Sequence, residues 1–329
     1  MELPMPERPP ISVNVDQSRY PNLGLLLDEV LRVWPGHAKA LAKSIGERDP
    51  SLLHHTETLA SAITRLEPII DGGRAKLAED FRFLCERIIL PEELHFRRNG
   101  RYRLSRFEDA LSEVYSDRPF MTRYMNGLLM SHVLWLNHAR ATQHYVERFL
   151  PGIRSGAEHL EIGPGHGLLL HLAAESGRVA RLTGWDVAAA SLDSSRHALA
   201  ALGTTQGVSF ECKDAFAAAS LNDSDRGRFD SIVLSEVLEH LEQPAEALAS
   251  LYQLCKPGGR VWINVPANSP APDHLFLVQD IGEATALVEA AGFGIVETAS
   301  YAMPGISVER AIRDKMTLNC VIVGERPAA

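Results

Sequence analysis

The stretch Ser235–Leu241, Ser-Glu-Val-Leu-Glu-His-Leu, sets two carboxylates and an imidazole within five residues. In a helix Glu236, Glu239 and His240 stand at i, i+3 and i+4 and share one face. Such a face can hold a cation, and an imidazole near neutral pH can also take a proton by itself. The plainer readings are that Glu236 lines a bound cofactor and that His240 is a metal-free base.

These residues need a scaffold, and the scaffold starts at Leu160–Gly167, Leu-Glu-Ile-Gly-Pro-Gly-His-Gly. A short apolar strand, Ala157–Ile162, runs into Gly163, Gly165 and Gly167. The apolar run Leu168–Ala174 then reads as a helix. Glycines let the backbone turn tightly and let a ligand approach where a Cβ would clash. The helix start offers unpaired N–H groups. A dinucleotide site asks for G-x-G-x-x-G, and here the third glycine comes one residue early. Glu161, two residues before the first glycine, is awkward beside a pyrophosphate and suits a ligand carrying an ammonium group.

The stretch resembles motif I, (D/E)-x-G-x-G-x-G, of the class I S-adenosylmethionine (SAM) dependent methyltransferases. Three later features fit the same family. Arg181–Val187 reads as a second strand ending in Asp186, about twenty residues after the first glycine, where an acid accepts ribose hydroxyls. Val208–Asp214 reads as a third strand, and the family's counterpart of Asp214 contacts the adenine amino group. Leu254–Val265 carries the Pro-Gly-Gly turn that precedes strand five in this family. The resemblance covers roughly Ala157 to Arg326. It implies a Rossmann-like α/β sheet with helices on both faces. The implied cofactor residues are Glu161, Gly163, Gly165, Gly167, Asp186, Val187, Asp214, Ala215, Ser235 and Glu236. The Glu-Val-Leu-Glu-His pattern is similar to that of the ubiquinone-biosynthetic O-methyltransferases. It also resembles the E-x-x-E-H group of small-RNA 2′-O-methyltransferases, which binds a divalent ion with one further histidine beyond strand five. His274 occupies that region, so Glu236, Glu239, His240 and His274 are the metal candidates. Two carboxylates and two imidazoles suit Mg²⁺, Mn²⁺, Fe²⁺ or Zn²⁺. His240, Glu239 and His138 are the catalytic candidates.

The 329 residues suggest two domains. Hydrophobic content of 45% supports a real core, and a net charge of −9 speaks against an extended nucleic-acid surface. Four scattered cysteines without C-x-x-C spacing fit a reducing cytoplasm, and no run approaches the length of a membrane helix. Residues 1–20 read as an extended arm. Helical patterns follow over 22–46, from Asp49-Pro50-Ser51 to Leu66, and over Lys76–Leu90. His95–Leu104 alternates around Asn99-Gly100, a two-residue hairpin signal. Helices followed by such a hairpin look like the winged-helix domain of small-molecule O-methyltransferases. The arginines around it (97, 98, 101, 103 and 106) read as a solvated face. From Phe107 to Leu150 the pattern is helical again, with polar residues such as Tyr124, Asn126, His132 and His138 interleaved. In the family the helix entering strand one often covers cofactor and substrate.

The expectation is therefore a mainly helical cap or dimerisation domain over 1–151 and a SAM-binding methyltransferase domain over 152–329. Its partner is a small-molecule acceptor methylated at oxygen or carbon. Three alternatives stay open: a SAM-consuming cyclase or lyase, a metal-dependent RNA 2′-O-methyltransferase, and a non-catalytic SAM-binding module.

Overall fold

A computed structural model describes residues 13–204, 207–217 and 221–328; the expected N-terminal arm lies largely outside them. The N-terminal half is helical: α1 (Pro21–Val33), α2 (Ala38–Gly46), α3 (Pro50–Leu66), α4 (Gly73–Phe83), α5 (Leu90–Asn99), α6 (Phe107–Ala110), α7 (Arg118–Leu134), α8 (Leu136–His144) and α9 (Leu150–Gly152). Local chemistry fixes several starts. Asp49 accepts from the Leu52 N–H at 2.8 Å with Pro50 behind it, and Asp117 accepts from the Phe120 N–H at 3.0 Å.

The hairpin expected at 95–104 is not formed. His95–Asn99 is the last part of α5, and among the described residues no strand precedes the first sheet strand. An Asn-Gly pair suits a hairpin turn, but it equally suits a helix end. Gly100, at φ 67°, closes α5 by donating its N–H to the Phe96 carbonyl at 2.7 Å. Burial of Glu92 and Phe96 at i and i+4 favours the helix.

The other half alternates strand and helix: β1 (Ala157–Ile162), α10 (Leu168–Glu175), β2 (Val179–Asp186), α11 (Ala189–Ala201), β3 (Val208–Cys212), β4 (Phe229–Ser235), α12 (Pro244–Leu254), β5 (Cys255–Ala267), α13 (Ile281–Ala290), β6 (Gly294–Ala302), α14 (Val308–Arg313) and β7 (Leu318–Glu325). The sheet order is β3-β2-β1-β4-β5-β7-β6, with β1 to β5 parallel and β7 antiparallel to both its neighbours. The order reverses between β1 and β4, so a crevice opens at the carboxyl ends of these strands. β4, β5 and β7 are nearly continuous buried runs, as strands covered on both faces must be.

The change of pattern falls near Pro151, but the hydrophobic core crosses it. Leu23, Leu59, Ile63 and Phe81 of the helical half belong to the same buried cluster as Trp262, Val321 and Val323 of the sheet. Tyr145, just after α8, packs its ring 5.1 Å from that of Trp262. The helices thus form one of the layers that cover the sheet. No described helix is long and apolar enough to cross a membrane.

Candidate active site

β1 delivers the chain into a loop in which Gly163, Gly165 and Gly167 all have positive φ, at 69°, 51° and 69°. L side chains rarely adopt this region, which explains the residue type at all three positions. Space is tight as well. A Cβ on Gly163 would stand 3.0 Å from Val237 Cγ2, and one on Gly167 would stand 3.1 Å from Leu199 Cγ. Glu161 is buried beneath the loop. Burial pushes its carboxyl well above the usual range, and Oε2 has no hydrogen-bond partner.

Helix α7 lies over this loop. Met125 Cε comes within 3.5 Å of where a Gly165 Cβ would be. Met121, Met125, Leu128 and His132, spaced as one helical face, are all half-buried rather than sealed. Of these, Met125 is the one set against the glycine loop.

Asp186 ends β2, and its two oxygens accept from the Ala188 N–H at 2.8 Å and the Ser191 hydroxyl at 2.7 Å. Val187 beside it is 60% exposed. Asp214 accepts from the Phe216 and Ala217 N–H groups at 2.9 and 3.2 Å, while Ala215 is buried. Asp214, Phe216, Phe107 and His240 line one cavity of about 320 Å³.

After β4 the chain is not the helix that the spacing suggested. Glu236 takes a left-handed φ of 53°, and only a 3₁₀ turn over Leu238–His240 follows. The shared face is therefore lost, and Glu236 separates from the other two. Its Oε1 accepts from Asn264 Nδ2 at 2.7 Å and Asn319 Nδ2 at 2.8 Å. Asn264 Nδ2 also lies 3.2 Å from Ser235 Oγ, and Asn137 of α8 donates to Asn319 Oδ1 at 2.6 Å. Burial raises the Glu236 carboxyl to about 8 against the opposing pull of the two amides. A left-handed non-glycine residue at such a place is strain retained for a reason.

The structure does bring Glu239, His240 and His274 together, each with one donor atom within 4.8 Å of the others. His240 Nε2 lies 3.7 Å and His274 Nε2 3.9 Å from Glu239 Oε1. Both Glu239 oxygens are buried and without a hydrogen-bond partner. Burial, aided by the Glu236 and Asp273 charges, pushes this carboxyl well above its ordinary value. Each imidazole has its other nitrogen against a backbone carbonyl: His240 Nδ1 on Asp273 at 3.0 Å and His274 Nδ1 on Ser269 at 2.6 Å. A carbonyl only accepts, so both Nδ1 atoms carry the proton and both Nε2 lone pairs turn toward Glu239. Burial first, then the neighbouring His240, lowers His274 to about 4, which keeps it neutral. The loop carrying His274 is pinned by the Leu275 and Phe276 N–H groups, both donating to the Glu239 carbonyl.

His138 sits elsewhere. Its Nδ1 lies 2.9 Å from Ser131 Oγ, and its ring packs edge-on to Trp135 at 4.9 Å. It faces His132 rather than His240. Sequence reasoning named Tyr124 without its partner and missed Tyr102, Tyr115 and the role of Asp273. The ring of Tyr102 stands 5.6 Å from that of His274. The Tyr115 hydroxyl lies 3.3 Å from His240 Nδ1, and the Tyr124 hydroxyl donates to Asp273 Oδ1 at 3.0 Å. Nothing in a single chain's spacing joins residues so far apart.

Residues 134–297 match the profile of a methyltransferase domain family. The ubiquinone biosynthesis O-methyltransferase of Alkalilimnicola ehrlichii is 35% identical over 134 residues, which make up 41% of this chain and 51% of that protein. That of Nitrosococcus oceani is 34% identical over 125 residues, 38% of this chain and 49% of that protein. The chain spans about half the length of the curated relatives it matches. An O-methyltransferase family protein from Burkholderia thailandensis of known structure superposes with a TM-score of 0.48 and 15% identity, covering 78% of this chain and 72% of that one. Residues 134–297 are thus similar to a methyltransferase domain, which supports a class I S-adenosylmethionine-dependent methyltransferase.

Proposed function

We propose that the chain transfers the methyl group of SAM to an oxygen or carbon of a small-molecule acceptor. One observation carries this reading. His240, the group suited to handling a proton, opens onto the same cavity as Asp214, the acid expected beside the cofactor's adenine. Donor and acceptor would thus meet in one space. The residues fit such a donor: the left-handed glycine turn leaves room where a Cβ would intrude, and Glu161 Oε2 lacks a partner beneath it. SAM supplies an activated methyl on a sulfonium. The protein's part is to align donor and acceptor, exclude water and remove a proton where the acceptor carries one. Helix α7 serves the exclusion. The test uses SAM with a deuterated methyl group, incubated with the protein and a metabolite extract. Mass spectrometry should find one product heavier by the labelled methyl, together with S-adenosylhomocysteine. SAM consumed without transfer of the label would favour a cyclase or lyase.

Glu239, His240 and His274 further support a divalent-ion site, without Glu236. Donor atoms each about 2.1 Å from one ion lie within about 4.2 Å of one another, and the two Nε2–Oε1 separations of 3.7 and 3.9 Å meet that limit. Imidazoles held through Nδ1–H to backbone carbonyls are the usual supporting arrangement for metal-ligating histidines. Two imidazoles and one carboxylate suit Fe²⁺, Mn²⁺ or Zn²⁺ better than Mg²⁺. A bound ion would lower the pKa of an acceptor hydroxyl. Chelation should then abolish turnover, and Glu239→Ala should be as harmful as His240→Ala. Full activity in excess chelator, with no metal by elemental analysis, would leave His240 as a metal-free base.

A further inference from the structure

Three tyrosines reach from the helical half to the polar group of the sheet half, and two of them bracket the Asp273–His240 pair. Tyr124, on α7, donates its hydroxyl to Asp273 Oδ1 at 3.0 Å. Tyr115, just before α7, sets its hydroxyl 3.3 Å from His240 Nδ1. Asp273 is 3% exposed. Its backbone carbonyl takes the His240 Nδ1–H at 3.0 Å, and its Oδ2 lies 3.5 Å from the same nitrogen. Tyr102 completes the enclosure, with its hydroxyl accepting from the Ser269 N–H at 3.2 Å. Ser269 is the residue whose carbonyl holds His274.

We infer that Asp273, held by Tyr124, is a positioning residue that acts together with Tyr115: they set the tautomer and orientation of His240, so that the working imidazole is built jointly by both halves of the chain. The physical argument is a chain of fixed partners. Free imidazole exchanges its proton between two nitrogens and turns about its side-chain bonds. A ring is committed to one tautomer only when one nitrogen has an obligatory partner. Here that partner is a backbone carbonyl on the short loop Pro272–His274, and a backbone carbonyl is only as fixed as its loop. The Tyr124 hydroxyl donates into the adjacent carboxylate and the Tyr115 hydroxyl lies against His240 Nδ1, so both hold this group from the helical side. The Leu275 and Phe276 bonds to the Glu239 carbonyl hold it from the sheet side. Removing the hydroxyls frees one side while leaving the rings packed. The Nε2 lone pair, which faces Glu239 and is the atom available for a proton or an ion, then loses its fixed aim.

The functional meaning of this device rests on the role proposed for His240 above, but its test does not. The full chain is labelled with ¹⁵N-histidine, and the His240 ring signals are identified by their loss in His240→Gln. Nitrogen NMR of the wild type should show His240 as a fixed Nδ1–H tautomer. Tyr115→Phe/Tyr124→Phe should move it to a mixture of both tautomers. S-adenosylhomocysteine affinity by calorimetry should stay within about twofold, because the glycine loop is untouched. Each single variant should give a smaller shift in the same direction, and the singles carry the test if the double variant does not fold. A wild-type His240 in the Nε2–H form would overturn the inference. So would a ring pattern unchanged by loss of both hydroxyls. Absence of S-adenosylhomocysteine binding in the wild type would instead refute the cofactor reading and leave the tautomer result standing by itself.

Discussion

Replacing Glu236 by Gln should make the unliganded protein more stable, by an amount that depends on pH in a defined way. The Glu236 carboxyl is raised from 4.5 to about 8, chiefly by burial. In the unfolded chain it ionises in the ordinary range. Between those two values the folded state therefore binds the extra proton, and stability falls as pH rises. Below pH 4.5 both states are protonated and nothing is lost. At pH 7 the folded protein must hold a proton about 2.5 units above the unfolded pKa, which at about 1.4 kcal/mol per unit costs about 3 kcal/mol. Above pH 8 the penalty levels off. Gln keeps an acceptor oxygen for Asn264 and Asn319 and removes the titration. Urea unfolding of wild type and variant, followed from pH 4 to pH 8.5, should show the variant's advantage near zero at the acid end. It should grow by up to about 3 kcal/mol by pH 7. An advantage independent of pH, or a variant less stable throughout, would refute the assignment of a buried, protonated Glu236. A destabilising carboxyl kept at the carboxyl end of β4, in left-handed backbone, is itself an argument that it serves the site.

Other parts of the account make separate predictions. Gly167→Ala places a Cβ 3.1 Å from Leu199 Cγ at a φ of 69°; it should cost roughly 1–3 kcal/mol of stability by thermal unfolding and weaken S-adenosylhomocysteine binding in calorimetry. Asp49→Ala removes the cap of α3 and should cost about 1 kcal/mol while cofactor affinity stays unchanged. Asp230 accepts from Arg154 at 2.5 Å, from Lys256 at 2.9 Å and from the Glu158 N–H at 2.8 Å. Burial raises its carboxyl, but these bonds outweigh it and hold it below 3.8. Asp230→Ala should therefore lose roughly 1–3 kcal/mol at neutral pH. That loss should shrink as pH falls through the folded pKa, which a pH series of unfolding curves would show.

The half of the fold from Ala157 onward was legible because its signals are local. Alternating apolar strands and helices, the glycine turn and the Pro-Gly-Gly turn need no tertiary information. The insertion of β7 between β5 and β6 left no such local mark. The helical half was legible as helices but not as a layer, because the apolar residues that make Leu59 and Phe81 part of the sheet's core look the same as those of a separate bundle. Asn99-Gly100 misled because one dipeptide serves two structures, and burial of Phe96 decides between them. The polar stretch after β4 was found by residue type, yet its geometry was misjudged. Seven residues carry too little periodicity to reveal one left-handed residue at Glu236. The Tyr115–His240 and Tyr124–Asp273 contacts escaped notice because they join residues more than a hundred positions apart.

The central claim is that the left-handed glycine loop under α7 binds SAM. Calorimetry of the full chain tests it most directly. Saturable one-to-one binding of SAM and S-adenosylhomocysteine is expected, with loss of most of that affinity in Gly165→Val and retention in Tyr115→Phe. Binding of NAD in place of SAM, or SAM affinity untouched by Gly165→Val, would contradict it.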